Sequence, residues 1–284
     1  MNSTARARAP GLPQGWYPSS PSKIKDYLRD CAERSVYRGE PAVSSISPHA
    51  GWYFSGRLSA QSILSLDKAD TIAIIGGHLS HGSPILYAPE SAFSTPSGEA
   101  TVDAALLEAL FAELRDSGVP APQPDLYVDN SVEVLLPMVT ALQPEAQVLW
   151  LRSPPSYMAK ELGTALGRAA ASLGRKVVCV GSTDLTHYGP AYGFSPAGRG
   201  EAAAKWVREV NDKAFVDAVT AMECETAMAL AVRRSSACSP GAAVAAISFA
   251  LELGASQSIL NEYDTSLSVR DDDSFVGYAS VSYF

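Results

Sequence analysis

The sequence contains no CxxC pair. Its four cysteines, Cys31, Cys179, Cys224 and Cys238, are scattered along 284 residues. The spacing of a structural zinc site and the pattern of a disulfide scaffold are both absent. Reduced thiols in a cytoplasmic protein are the expectation. No apolar run approaches the ~20 residues that span a bilayer, and no membrane partner is expected. Met1 to Pro10 carries Arg6 and Arg8 with no apolar core behind them. That is not a secretory signal, and residues 1–13 are read as a flexible arm. Basic residues are also short: 22 Lys and Arg against 30 Asp and Glu, a net charge of −8. They form no stripe, which disfavours a nucleic-acid partner. The GxSxG, GxxxxGK[ST] and HExxH motifs are absent, and no dinucleotide fingerprint follows a strand. Internal repeats, low-complexity blocks and long linkers are missing as well.

What is present is an ordinary globular composition, 46% apolar and 18% charged. A chain of this length buries enough surface to fold around its own core without a staple. Residues 14–284 are read as one domain. Short Val- and Ile-rich runs at 42–47, 71–76, 147–152, 176–182, 257–263 and 275–283 lack clean alternation, as strands covered on both faces do. Helical patterns fall between them at 22–37, 57–66, 103–117, 132–142, 156–173, 201–219, 223–232 and 241–251. Ser22 is the expected cap of the first. Alternating strands and helices predict a layered α/β fold with a mostly parallel central sheet flanked by helices.

In such sheets ligands bind beyond the carboxyl ends of the strands. All four histidines lie there. His49 follows the first run, His78 and His81 the second, and His187 the fourth. Three strand ends would therefore bring imidazoles to one rim. His49 and His78 are the stronger candidates, since only one of His78 and His81 is expected to point inward. Asp184, three residues before His187, could ligate a metal, orient an imidazole or act as a base; a Ser/Thr/Asp cluster is equally turn chemistry. Cys238 precedes the helix at 241, where a thiol is acidified and suits soft metals. Cys31, Cys179 and Cys224 are assigned to packing. Glu133 sits where it would favour a helix dipole. Two histidines with a carboxylate, or with a cysteine, both make metal sites, and residue types alone leave the choice open.

These residues resemble the Memo-like family, also called AmmeMemoRadiSam system protein B. The resemblance runs through Gly15-Trp16-Tyr17-Pro18, Pro48-His49-Ala50-Gly51-Trp52-Tyr53-Phe54-Ser55-Gly56, the Gly-Gly-His78 segment and Thr95-Pro96-Ser97-Gly98. It continues through Asn130-Ser131-Val132-Glu133, Ser182-Thr183-Asp184-Leu185-Thr186-His187-Tyr188-Gly189, the Cys238 turn and Val276-Gly277-Tyr278-Ala279. Order and spacing agree from about residue 14 to the end.

The resemblance implies a fold like that of class III extradiol dioxygenases. It implies a pocket lined by His49, His78, Asp184, His187 and Cys238. On that basis the expected metal ligands are His49, His78 and Cys238, with Fe(II) first and copper or zinc as alternatives. His187 and Asp184 are the expected catalytic pair. Functional association with radical SAM and AMMECR-type proteins is implied too. Animal members are described as mediators that bind phosphorylated receptor peptides. The leading reading is a metal-dependent redox enzyme acting on an unknown small molecule. A second is a non-catalytic module that keeps the pocket for a peptide or small molecule. A third is a metal-dependent hydrolase. Asn130 stands where the family usually has a histidine, and Cys-Ser-Pro-Gly replaces its usual Cys-Gly-x-x-Pro.

Overall fold

The computed structural model describes residues 7–35, 37 and 39–284. Its centre follows from side-chain alternation in three strands. In β2 (Thr71–Gly76), β7 (Gln147–Arg152) and β8 (Val177–Ser182), Ile72, Ile74, Val148, Trp150, Val178 and Val180 enter one apolar layer. Ala73, Ile75, Leu149, Leu151, Val177 and Cys179 enter the other. Successive strand residues point to opposite faces, so a run without polar gaps needs cover on both sides. The first layer is closed by α1 (Pro21–Arg34), α2 (Trp52–Leu64) and α5 (Leu136–Leu142). The second is closed by α3 (Ala104–Asp116), α6 (Met158–Ser172) and α10 (Pro240–Glu252).

The remaining strands are β1 (Ser44–Ser47), β3 (Leu86–Tyr87), β6 (Gln123–Pro124), β10 (Ser258–Thr265) and β11 (Phe275–Tyr283). The sheet order is β10-β11-β1-β8-β2-β7-β3-β6, with β9 (His187–Tyr188) pairing β11 off this path. Strands β1, β8, β2 and β7 run parallel, whereas β11 pairs β1, and β3 pairs β7, in antiparallel fashion. A separate hairpin joins β4 (Ala92–Thr95) and β5 (Gly98–Thr101). The mostly parallel α/β fold read from the sequence is the observed one. The edge strands differ from the expectation of two covered faces, because β10 is largely half-buried or exposed.

The helix boundaries carry several corrections. Helix α1 begins at Pro21 behind Ser20, not at Ser22, because proline's fixed φ suits a first turn. Helix α2 begins at Trp52, five residues before the expected start. The expected helix at 132–142 is two, α4 (Asn130–Glu133) and α5, with Pro137 in the first turn of the second. The one at 201–219 is α7 (Gly200–Trp206) and α8 (Asp212–Thr220), joined by a π-helical turn over Val207–Asn211. Helix α9 (Cys224–Arg234) completes the set. The expected first helix reached Tyr37 across Val36, which lies outside the described residues.

Helix α10 is buried along almost its whole length. Its Ala242, Ala245 and Ala246 allow a close approach to α6, and Gly163 of α6 meets the Ala245 carbonyl there. Of the expected arm, residues 1–6 lie outside the described residues. Arg8 bridges Phe93 in β-fashion, stacks over the Trp150 ring at 4.6 Å and pairs with Glu90 at 2.9 Å. Among the described residues no helix is long and apolar enough to cross a membrane.

Candidate metal centre

Strands β1, β2 and β8 end at the same edge of the sheet and release His49, the Gly77–His78 turn and the Thr183–His187 loop there. Cys238 arrives from the segment before α10. One atom each from His49, His78 and Cys238 fall within 4.8 Å of one another. Cys238 Sγ is 3.3 Å from His49 Nε2. The His49 and His78 rings stand edge to face, with centroids 4.8 Å apart. A metal held at about 2.0–2.3 Å by nitrogen and sulfur spaces its donors roughly 3.3–3.8 Å apart. The cluster therefore fits a first-row metal with a movement of about 1 Å at its widest gap.

Each ligand side chain is aimed by a neighbour. His49 is 1% exposed, and its Nδ1 lies 3.0 Å from Ser182 Oγ, which turns Nε2 towards Cys238. Its backbone N–H donates to Asp184 Oδ1 at 2.7 Å. His78 has a left-handed backbone, φ 57. Its Nδ1 is 3.1 Å from Asp129 Oδ2, and that oxygen also receives Arg152 Nη2 at 3.0 Å. A carboxylate behind a ligand imidazole fixes its orientation and raises its basicity. The backbone at Gly77 passes so close to the Cys238–Ser239 turn that an added Cβ would lie 2.4 Å from Ser239 Cβ. Cys238 N donates to Asp184 O at 3.1 Å, and Ser239 N to Thr183 Oγ1 at 3.0 Å.

Asp184 and His187 complete the arrangement. Asp184 Oδ2 lies 3.9 Å from both His49 Nε2 and His187 Nε2. His187 Nε2 is buried without a hydrogen-bond partner. Its loop is stitched to β11 by Leu185 N to Gly277 O and Gly277 N to Thr186 O. It is also clamped from the π-helical turn. Asn211 Nδ2 donates to Thr186 Oγ1 at 2.9 Å, and Asp212 Oδ1 accepts from Thr186 N at 3.0 Å and from the Thr186 hydroxyl. Such turns cost helix regularity, and here the irregularity aims two consecutive side chains at one threonine.

Electrostatics tie the group together in the metal-free protein. Burial pushes the Cys238 thiol up, but His49, His187 and His78 outweigh it and hold it well below its usual range. Burial opposes the imidazoliums in turn. The Asp129 carboxylate and Cys238 nevertheless raise His78 to about 10. Asp184 and Cys238 raise His187 to about 10. His49 is raised in the same way by Asp184 and Cys238 against its burial. A thiolate among imidazoliums is a donor set whose protons a metal ion would have to displace.

A cavity of about 600 Å³ opens onto Asp184 and His187, with Trp16, Tyr53, Tyr192 and Arg270 on its walls. The family model for Memo-like proteins matches residues 8–282. The chain belongs to the Memo-like family. It is similar to a MEMO1 family protein of Thermococcus onnurineus, at 31% identity over 97% of this chain and 99% of the relative. A MEMO1 family protein of Methanococcoides burtonii is 29% identical over 96% and 98% of the two chains. One of Methanosarcina barkeri is 28% identical over 96% and 98%.

In this Memo-like chain all five residues picked from the sequence converge, while His81 is exposed and lines a separate cleft. Asn130 lines the main cavity and donates to His49 O at 3.0 Å. Glu133 serves the fold: its carboxylate accepts Gly11 N, Leu12 N and Tyr17 OH. Sequence reasoning passed over Ser182, Asp129, Arg152 and the Asn211–Asp212 pair. Asp129 had a signal, because an Asp ahead of a helix start is a cap candidate, and it does accept Ser131 N. Arg152, at the end of an apolar strand and paired with Asp125 and Asp129, had a weaker one.

Proposed function

We propose that this Memo-like protein holds a divalent transition metal, Fe(II) in the first instance, through His49, His78 and Cys238. The observation that supports it is the convergence of two imidazoles and one thiol within 4.8 Å, from three segments far apart in sequence. Mixed nitrogen and sulfur donors suit iron, copper and zinc and exclude hard cations such as magnesium. When bound, the metal would supply Lewis acidity and, if it is redox-active, electrons to a ligand at its open positions.

The chain's own residues do the rest. The 600 Å³ cavity admits a small molecule or the end of a peptide. Its aromatic walls offer apolar contact to the ligand, and Arg270 offers a cation at the rim. His187, whose Nε2 makes no hydrogen bond, is the group placed to donate a proton to a bound ligand as a general acid. Asp184 faces that proton and orients the ring. This is the reading of a metal-dependent redox enzyme.

Metal analysis after anaerobic purification tests the binding. Wild type is expected to carry stoichiometric metal and the His49→Ala/His78→Ala double variant none. Full occupancy in the double variant ends the assignment. Oxygen uptake with Fe(II) and candidate ligands tests the chemistry. Uptake lost in His187→Ala while metal is retained is the expected result. A metal-loaded protein that consumes nothing is a binding module.

A further inference from the structure

Two cavities border the centre, and His78, itself exposed, lines neither. The main cavity reaches Asp184 and His187 but not the thiol. A second cavity of about 390 Å³ lies across the same imidazole and is walled by Phe194, Ala231, Ser235 and Cys238. His187 and Tyr192 line both. Their rings sit 4.9 Å apart and form the partition. His49, at 1% exposure, lines neither. No carboxylate lines the smaller cavity, whereas Asp184 and Asp272 line the larger. A metal ion entering the larger one meets oxygen ligands first. One entering the smaller one meets the Cys238 sulfur and the His187 imidazole, both donors that suit it, among side chains that are otherwise small or apolar apart from Tyr192. At roughly 30 Å³ per water, the smaller cavity holds about a dozen water volumes, enough for a metal ion on a small thiol.

We propose that the smaller cavity is the loading entrance of the metal centre. A soft divalent metal carried by a low-molecular-weight thiol enters there and is handed to Cys238, while organic ligands use the main cavity. This rests on the metal-binding reading above. In the transfer the bond between carrier sulfur and metal breaks as the bond from Cys238 Sγ to the metal forms. Any proton on Cys238 leaves on the departing carrier thiolate, and no electron changes hands. His78 and His49 then close on the metal from behind, each giving its extra proton to solvent.

Stopped-flow loading of the metal-free full chain tests this, with cobalt(II) presented in excess glutathione and the thiolate-to-cobalt absorption as the signal. Ser235→Trp narrows the small cavity at an exposed rim position, and Gln14→Trp narrows the main one at another. Ser235→Trp is expected to load about tenfold more slowly to the same final stoichiometry, with Gln14→Trp at the wild-type rate. Phe194→Ala widens the small cavity and is expected to load faster, which keeps the test alive if Ser235→Trp fails to fold. Wild-type rates in both small-cavity variants, or slowing in Gln14→Trp alone, overturn the proposal. Failure of the underlying reading looks different: no thiolate band develops in wild type at all.

Discussion

Gly163→Ala asks how tightly α10, which follows directly on Cys238 and Ser239, is held against α6. A Cβ at Gly163 would lie 2.0 Å from the Ala245 carbonyl oxygen and 2.8 Å from Phe249 N. Ordinary contact begins at 3.4 Å, so the helices must part by about 1.4 Å, the difference of the two distances. The obstacle is helix backbone on a buried element, and it cannot rotate aside. Overpacking of this kind costs about 1–3 kcal/mol, and backbone against backbone belongs at the upper end. Alanine returns about 1 kcal/mol of helix propensity. The expected net loss is about 2 kcal/mol, a fall of about 4–8 °C in Tm. Gly167→Ala, one turn further along α6, is the internal control. Its Cβ would meet chiefly the Glu252 side chain, at 2.9 and 3.1 Å, on an exposed residue at the end of α10. Its small clash and its propensity gain should nearly cancel. Thermal unfolding of both metal-free variants, with cobalt affinity alongside, reads the result. Gly163→Ala should lose stability and bind metal more weakly, because Cys238 moves with α10. Equal Tm values in the two variants would refute the reasoning.

Two predictions concern pH. In the metal-free protein, His49, His78 and His187 are raised above 6.5 and Cys238 is lowered below 9.0. Between these values the folded chain keeps protons on three imidazoles that the unfolded chain sheds, and lacks one thiol proton that the unfolded chain keeps. The folded state binds more protons. Stability should therefore fall as pH rises from about 6.5 towards 10, and metal held by His49, His78 and Cys238 should leave only the His187 share of that slope. Denaturant midpoints at pH 7 and 9.5 decide it, and a rise in the metal-free protein contradicts the proton count. Burial also pushes the Asp212 carboxyl up to about 7, although Thr186 and Tyr263 donate to it. Its unfolded value is 3.8, so stability should also fall with rising pH through that window, and Asp212→Asn should remove that component. An unchanged slope in the variant removes Asp212 as its source.

The central strands and most helices were legible because their residues answer to one demand, burial on one or both faces. Strand 71–76 matches its observed bounds because every side chain in it is covered. The short strands β3, β6 and β9 were not legible. Two residues carry no period, and pairing partners far along the chain decide their conformation. The site was legible in its donors, since histidines and a cysteine at strand and helix ends have few other reasons to gather there. Its supports were not. Arg152 reads as the last residue of an apolar strand, and Asp212 as one acid of a helix that carries several. Their meaning lies in what they touch across the sheet.

The segment from Arg8 to Trp16 deserves to be handled as masonry. Glu133 grips Gly11 and Leu12, and four residues further on Gly15 and Trp16 line the main cavity. Glu133 stands on the same short helix as Asn130, whose amide bonds the His49 carbonyl. Anyone trimming the amino terminus to tidy a crystal or attach a tag would therefore be knocking out a chamber wall, and with it a partner of the helix that carries Asn130.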